Sequence, residues 1–525
     1  MGKAKLNMSL RESIDEFVGI FLEKADFKSN KDKYVHDPIW GGIELFPWEQ
    51  GIIDTPLFQR LRQIHQTGCV FATYPSATHS RFEHTLGVMH LAGRMACQLE
   101  KHFGSLVDKS TYQKVRLAAL GHDLGHSAFS HATEEIYSQC GDIAELTGTG
   151  GDFEGKGAGE VLSFLILTSK PFREFFGNLK KYHPDLLIEV DDFAPLVLGR
   201  ATDPDKNKFF EAQIISSPFD ADKLDYFPRD GRSAGLELSL DTDRLLNCLE
   251  IHSLSGPLGS KNTMVVHRGG FNPIQQLLFA RATLFSTVYH HHKVRACDCM
   301  IKAAFERMHD IGKGFSGGQA LKRKLDHTSA ADFLYLTDFS FFAEASIHDL
   351  DSIEHDLLHD LLYRRLLKRT VTVSANTLEG FHTNPDEIRA AYSQFYNKRS
   401  NPIEVRELAI RIHDEAGVEC TKYRVWLDLP STPSFEQAGR ALMRISQRGE
   451  DIEVKPLADF IPVAEWVQTY RQYYAQSFLF GPPDIEQRIK LAVVTRRILR
   501  EEFGLNLKPN SMPDDIRTAV LDLEK

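Results

Sequence analysis

The stretch Gly121–His131, reading G-H-D-L-G-H-S-A-F-S-H, constrains this chain more than any other. It sets His122, Asp123, His126 and His131 directly after an apolar run of Val115, Leu117, Ala118, Ala119 and Leu120. Histidine is the commonest metal ligand and the side chain that titrates nearest neutral pH. Such a cluster at a buried helix end points to a metal site with proton-transfer groups beside it. The His-Asp dipeptide alone is uninformative, because it recurs at His36-Asp37, His309-Asp310, His348-Asp349, His355-Asp356, His359-Asp360 and His413-Asp414. Most of those pairs stand among charged residues and read as solvated helix faces. Only His122-Asp123 follows an apolar helical stretch and leads into further histidines.

Composition narrows the class. The chain has 525 residues, 42% of them hydrophobic and 26% charged, ample for a large core and more than one lobe. A formal net charge of -10 argues against a general nucleic-acid coat protein, while leaving room for a local phosphate pocket. No apolar run approaches the length of a bilayer span, and the N-terminus lacks a signal-peptide order, so no membrane association is expected. The 7 cysteines are odd in number and form no C-x-x-C pair. They read as reduced packing thiols of a cytoplasmic protein.

Periodicity predicts helices over 1–30 (ending in a charged stretch), 55–66, 82–103, 111–122, 160–170, 207–230, 272–308, 330–347 and 354–370. Residues 34–50 read as turns and short extended pieces, and the Gly-rich 141–159 as a mobile loop. After about residue 415, Lys422–Leu429 and Ile452–Leu457 read as strands and 482–504 as a closing helix.

Three further segments join the opening motif: Ser80-Arg81-Phe82-Glu83-His84, the run Asp220 to Asp230 (D-A-D-K-L-D-Y-F-P-R-D), and Arg281 with V-Y-H-H-H-K from Val288. Together, R-F-E-H, H-D-x-G-H-x-x-F-S-H and D-x-D-K-x-D-Y-x-x-R-D resemble the HD-domain phosphohydrolases. Within them they resemble the deoxynucleoside triphosphate triphosphohydrolase branch, without the SAM domain of its vertebrate members. The resemblance runs from near His36 to about residue 300 and weakly beyond. It implies a mostly α fold, a helical HD-domain core with a smaller α+β C-terminal lobe. The expected division is an N-terminal helical segment 1–33, the metallohydrolase core 34–330, a helical extension 331–415 and the C-terminal lobe 416–525.

The resemblance implies one divalent metal ion (Mn, Fe, Ni, Zn or Mg) held by His84, His122, Asp123 and Asp222. Two imidazoles and two carboxylates leave positions on a six-coordinate ion for water and a phosphate oxygen. By the same likeness His126 is the general acid for the leaving 5′ oxygen, and His131 contacts phosphate. Glu134 orients a histidine and raises its pKa. Arg81, Lys223, Tyr226 and Arg281 surround the phosphates of a dNTP substrate. Asp230 and Tyr289 match positions that meet the sugar and reject a ribose 2′-hydroxyl, and Gln66 matches its 3′ side. Asp54, Gln59 and Arg62, with Arg364 and Lys368 from another subunit, match an activator site for GTP or a dNTP. That implies a homodimer or homotetramer.

Departures from the family pattern leave alternatives open. A His-Glu pair usually opens the helix after the mobile loop, but here the stretch reads Gly155-Lys156-Gly157-Ala158-Gly159-Glu160. Lysine binds phosphate but is a poor proton donor. Ser127-Ala128 replace a common Gly-Pro, and His36 stands where the activator pocket often has Asn. A phosphohydrolase of nucleoside monophosphates or other phosphate esters, and a nucleotide-binding regulator with little catalysis, are the competing readings.

Overall fold

The computed structural model describes residues 9–23, 31–202, 207–256, 259–315, 325–381, 385–431, 439–446, 453–473 and 475–525. The protein is mostly α-helical with small sheets, and the chain divides into two compact units. The first comprises Met1–Arg281, Gly314–Ala343 and Phe435–Val463, the second Ala282–Lys313, Glu344–Ser434 and Ala464–Lys525.

The first unit opens with helix α1 (Leu10–Leu22), capped by a Ser9/Glu12 box. The hairpin of β1 (Lys33–Asp37) and β2 (Gly41–Leu45) follows. Its centre is the antiparallel pair α2 (Arg81–Phe103) and α3 (Lys109–Gly121). Ser80 and Glu83 form a reciprocal capping box that starts α2, so the glutamate of R-F-E-H is a structural residue. Asp108 caps α3 by accepting from the Thr111 amide at 2.8 Å. Met89, Ala92, Met95 and Ala96 of α2, with Val115, Ala118 and Ala119 of α3, are fully buried. The short α4 (His131–Tyr137), α5 (Ala158–Thr168) and α6 (Ala221–Ser233) complete the surroundings of the motif, with α6 packed on α2.

Several elements differ from the periodicity. The expected loop 141–159 contains the helix Gly141–Thr147, and α5 begins at Ala158. The expected helix 207–230 is two, Phe209–Ile215 and α6. Asp220 ends the break by accepting from the Lys223 and Ser217 amides, both at 2.8 Å. Residues 330–347 form short pieces, among them α7 (Asp338–Ala343). The hairpin β3 (Leu249–Gly256) and β4 (Gly259–His267) lies where the periodicity places no element; with β6 (Leu442–Arg444) and β7 (Val454–Pro456) it forms a sheet of order β3-β4-β6-β7. The ends of the first predicted helix, 1–8 and 24–30, lie outside the described residues.

In the second unit the expected helix 354–370 stops at Leu362. Residues Lys368–Val373 instead form strand β5, which pairs with β8 (Ser477–Gly481). Trp426–Asp428 is a short buried strand on the other side of β8. Apolar burial decides this, since Val371, Val373, Leu427 and Leu479 share one core with the helix Ile485–Phe503. The expected helix 272–308 is broken by a π-turn at Phe285–Tyr289. Strands β6 (Leu442–Arg444) and β7 (Val454–Pro456) belong to the first unit; Ile452, the start of the predicted strand, lies outside the described residues.

Candidate metal centre and phosphate site

His84 sits one turn into α2, and His122 is the C-cap of α3. The chain then turns tightly through Asp123 to Gly125. Gly125 permits this turn: a Cβ there would lie 2.3 Å from the Gly159 carbonyl and 2.5 Å from the Ser163 amide of α5. Arg60, buried in the core, ties the turn down by donating to the carbonyls of Leu124 and His126. Asp222 enters from the first turn of α6.

These elements bring the donor atoms of His84, His122 and Asp222 within 4.8 Å of one another. His84 Nε2 lies 3.0 Å from Asp222 Oδ1 without the alignment of a hydrogen bond, and His122 Nε2 lies 4.0 Å from the same oxygen. Asp123 Oδ1 is 3.4 Å from His122 Nε2, while its Oδ2 accepts from Arg81 Nη1 at 2.6 Å. The other ring nitrogens are committed. His84 Nδ1 donates to Asp225 Oδ2 at 2.8 Å, and His122 Nδ1 to the Ala119 carbonyl at 2.6 Å. A neutral ring at either position therefore presents its lone pair on Nε2, and both Nε2 atoms are buried without a hydrogen-bond partner. Two such lone pairs facing two carboxylates fit a divalent cation. Burial disfavours a charged His84, but Asp222 and Asp225 outweigh it and push the ring up to about 10. Burial likewise opposes the Asp123 charge, and Arg81 with the histidines overcomes it, holding the carboxyl well below its usual range. This is a strongly negative pocket that calls for positive charge.

Asp225 anchors the next layer. It accepts from Arg229 Nε and Nη2 and from Trp40 Nε1, and Arg229 Nη1 reaches Asp37 at 2.9 Å. Asp37 in turn accepts from the Ile39 and Trp40 amides, so the β1–β2 hairpin is tied to the His84 ring. Asp225 and Arg229 stand inside the D-x-D-K-x-D-Y-x-x-R-D signature. Its spacing, one helical turn between them, is the signal that sequence reasoning left unused.

The histidine that Glu134 orients is His131 rather than the general-acid candidate His126. His131 Nδ1 donates to Glu134 Oε2 at 2.9 Å, whereas His126 Nδ1 is 4.0 Å from that oxygen and has no hydrogen-bond partner. Burial and the nearby Arg81 pull His126 down to about 3. For His131, loss of solvent lowers the pKa but the Glu134 bond prevails and raises it. The reason is rotational. His131 is the first residue of α4 and Glu134 lies one turn on, whereas His126 precedes the turn and is directed to Asp123 Oδ1, 3.4 Å from its Nε2. Glu134 also accepts from the Gly159 amide at 2.9 Å, which locks it to the start of α5.

Around this centre, Arg81 Nε donates to Ser130 Oγ, and its buried Nη2 keeps no hydrogen-bond partner. Lys223 Nζ is 2.7 Å from Asp220 Oδ2. Burial raises the Tyr226 phenol, an effect tempered by Arg281, so those two expected phosphate groups are neighbours. Asp230 is buried with Oδ1 2.7 Å from His79 Nε2, and Gln66 Oε1 is buried without a hydrogen-bond partner. Lys156 precedes α5, and burial raises the Glu160 carboxyl against the opposing pull of Lys156 and Lys223. Tyr289 lies in the second unit, its ring 5.1 Å from Phe285.

The expected activator residues fall in both units. Asp54 is exposed and 3.8 Å from Lys33. Gln59 Nε2 donates to the Ile53 carbonyl, its Oε1 accepts from Arg62, and the Arg62 guanidinium covers Phe82 at 3.5 Å. Arg364, with a positive φ of 59°, and Lys368 at the start of β5 belong to the second unit. None of the 7 cysteines forms a disulfide. No described helix is long and apolar enough to cross a membrane.

A helical bundle presenting His84, His122-Asp123 and Asp222 around one point defines an HD domain, and the chain belongs to the HD-domain family. The HD domain matches residues 81–225, and the HD associated region matches residues 240–502. Among relatives, the chain is 26% identical over 485 residues to an uncharacterized protein of Methanocaldococcus jannaschii, covering 92% of this chain and 87% of that one. It is 28% identical over 358 residues to the human deoxynucleoside triphosphate triphosphohydrolase SAMHD1, covering 64% of this chain and 54% of that protein. It is also 28% identical over 484 residues to the uncharacterized protein YwfO of Bacillus subtilis, covering 89% and 94%. The match thus spans about half the length of the human triphosphohydrolase.

Proposed function

We propose that this protein is a metal-dependent phosphohydrolase that cleaves deoxynucleoside triphosphates to deoxynucleoside and inorganic tripolyphosphate. The observation that carries the reading is the pair of unpartnered Nε2 atoms of His84 and His122 facing Asp222 and Asp123, beside the unpartnered Nη2 of Arg81. The likeness to the human triphosphohydrolase supports the substrate class.

His84, His122, Asp123 and Asp222 would hold the divalent cation, which supplies Lewis acidity at a phosphate oxygen. Arg81 is held in place by Asp123 and Ser130, which leaves Nη2 to donate to the substrate phosphate without reorganisation. Lys223, Arg281 and the Tyr226 phenol, kept protonated by burial, bind the remaining phosphate oxygens. Departure of the 5′ oxygen requires a proton. His131, held protonated by Glu134, supplies it, and His126 donates a hydrogen bond to the phosphate. Gln66 Oε1, buried without a hydrogen-bond partner, accepts from the sugar 3′-hydroxyl, and Asp230 and Tyr289 select against ribose. Asp54, Gln59, Arg62, Arg364 and Lys368 form the activator site for GTP or a dNTP in a homodimer or homotetramer.

The test is incubation of the metal-loaded protein with each dNTP and NTP, singly and in pairs, with chromatographic identification of the phosphate product. Tripolyphosphate from a dNTP, lost in His131→Ala, is expected. Orthophosphate from a dNMP with every dNTP inert would overturn the reading. Pairs of nucleotides reveal activation of one by another.

A further inference from the structure

The turn that carries His131 is strained. Phe129 and Ser130 both have positive φ, 55° and 54°, with Ser130 at ψ -115°. Left-handed backbone is costly for a residue with a Cβ, and an aromatic residue there is unusual. Two such residues in succession persist only where their surroundings over-determine them.

One buried carboxylate does so. Asp338, the first residue of α7 and 2% exposed, accepts from the Phe129 amide through Oδ1 at 2.7 Å. Its Oδ2 accepts from the His65 amide at 3.0 Å and from His65 Nδ1 at 2.5 Å. The same helix packs Phe341 and Phe342 edge-on against the Phe129 ring, at 5.0 and 5.3 Å between centroids. Ser130 Oγ closes the loop by donating to the His65 carbonyl at 2.6 Å while accepting from Arg81. His65 precedes Gln66, whose amide donates to the His79 carbonyl at 3.0 Å. A single anionic side chain therefore fixes the Phe129 amide, two residues before the proton donor, and the His65 amide, one residue before the sugar-side glutamine, in one frame with Arg81.

We propose that Asp338 is a positioning residue for His131, holding the strained Phe129-Ser130 turn so that the His131 ring meets the reacting phosphate ester, with His65 as the clamp that keeps the carboxylate in place. Its kinetic consequence rests on the phosphohydrolase reading; its structural consequence does not. The requirement is geometric: α4 begins at His131, so any relaxation of the preceding two residues swings the ring. A displacement of about 1 Å at such a group is worth on the order of a hundredfold in rate.

The experiment compares Asp338→Asn with the unaltered metal-loaded protein in three measurements: amide exchange of peptides spanning 126–134, metal content with thermal midpoint, and dNTP kinetics. The proposal expects exchange at the turn about tenfold faster, as follows from losing a charge-assisted hydrogen bond. It also expects metal content and midpoint to be retained, and kcat to fall about 10- to 100-fold with KM within about threefold. Exchange and kcat both unchanged would overturn it. So would a midpoint and metal content that collapse together with them, since Asp338 would then be a general structural residue. A milder pair tests the clamp at a partly exposed site. His65→Ala should loosen the turn and lower kcat several-fold. His65→Asn, whose Nδ2 overlays the lost Nδ1, should restore both, and failure of Asn to rescue would refute the clamp. If the unaltered protein hydrolyses no dNTP, the functional reading falls while the exchange measurements still decide the role of Asp338 in the turn.

Discussion

Replacing Gly87 with alanine probes the support of His84 with a single methyl group. Gly87 lies within α2 in ordinary helical conformation, so alanine alone would favour the helix by up to about 1 kcal/mol. The opposing effect is space. A Cβ at residue 87 would lie 1.9 Å from Asp225 Oδ1, 2.5 Å from Arg229 Nη2 and 2.7 Å from Asp225 Cγ. Neither partner has room to retreat: Asp225 is fully buried between His84, Arg229 and Trp40, and Arg229 is also held by Asp37. Overpacking costs about 1–3 kcal/mol, and disrupting a buried carboxylate–guanidinium pair about 3–5 kcal/mol. Against the helix gain, the two costs together are expected to destabilise the Gly87→Ala protein by about 3–7 kcal/mol. Because Asp225 fixes the His84 tautomer, metal affinity should fall by about 10- to 100-fold as well. Urea denaturation and a metal titration against a competing chelator read the two effects. A Gly87→Ala protein that is as stable as the parent and binds metal equally well would refute the reasoning, because Asp225 would then be free to move without consequence.

Glu134→Gln removes the charge that holds His131 above the ordinary histidine range, so the His131 pKa falls. The alkaline limb of kcat/KM should shift to lower pH, and an unmoved limb in the pH–rate profile would assign the proton to another group. Asp222→Asn leaves the histidines without their shared carboxylate, and elemental analysis should show metal loss with the fold retained by circular dichroism. Asp428→Asn tests the second unit. Burial opposes the Asp428 charge, but Arg295, paired through both guanidinium ends at 2.9 and 2.7 Å, lowers the carboxyl. A carboxylate with a depressed folded pKa contributes stability above its ordinary range and loses it as pH falls through the folded value. Asp428→Asn should therefore cost about 3–5 kcal/mol at pH 7, and the gap to the parent should narrow below about pH 4, as measured by denaturation at both pH values.

Some features were legible locally. The Ser80-x-x-Glu83 box and the apolar run before Gly121 place His84 and His122 at helix ends because capping and helical periodicity act over three or four residues. The hairpin at β3–β4 was missed, although Leu249 and Ile251, buried in the structure, alternate with the polar Glu250 and His252. Strand β5 was not legible: Val371 and Val373 become strand because β8 and a long helix bury them, a tertiary effect that overrides the helical spacing of the preceding residues.

The sequence by itself determined which side chains are available for chemistry and where the two helices that carry His84 and His122 begin and end, because capping and periodicity there depend on neighbours within a turn. Tertiary structure alone decided the partners. Asp225 reaches His84 across 141 positions, and Asp338 reaches His65 across 273. The pairing of Glu134 with His131 over His126, by contrast, follows the one-turn spacing of the first two along one short helix. A buried polar group must be satisfied, but which group satisfies it follows from how the helices pack, and no linear pattern records that.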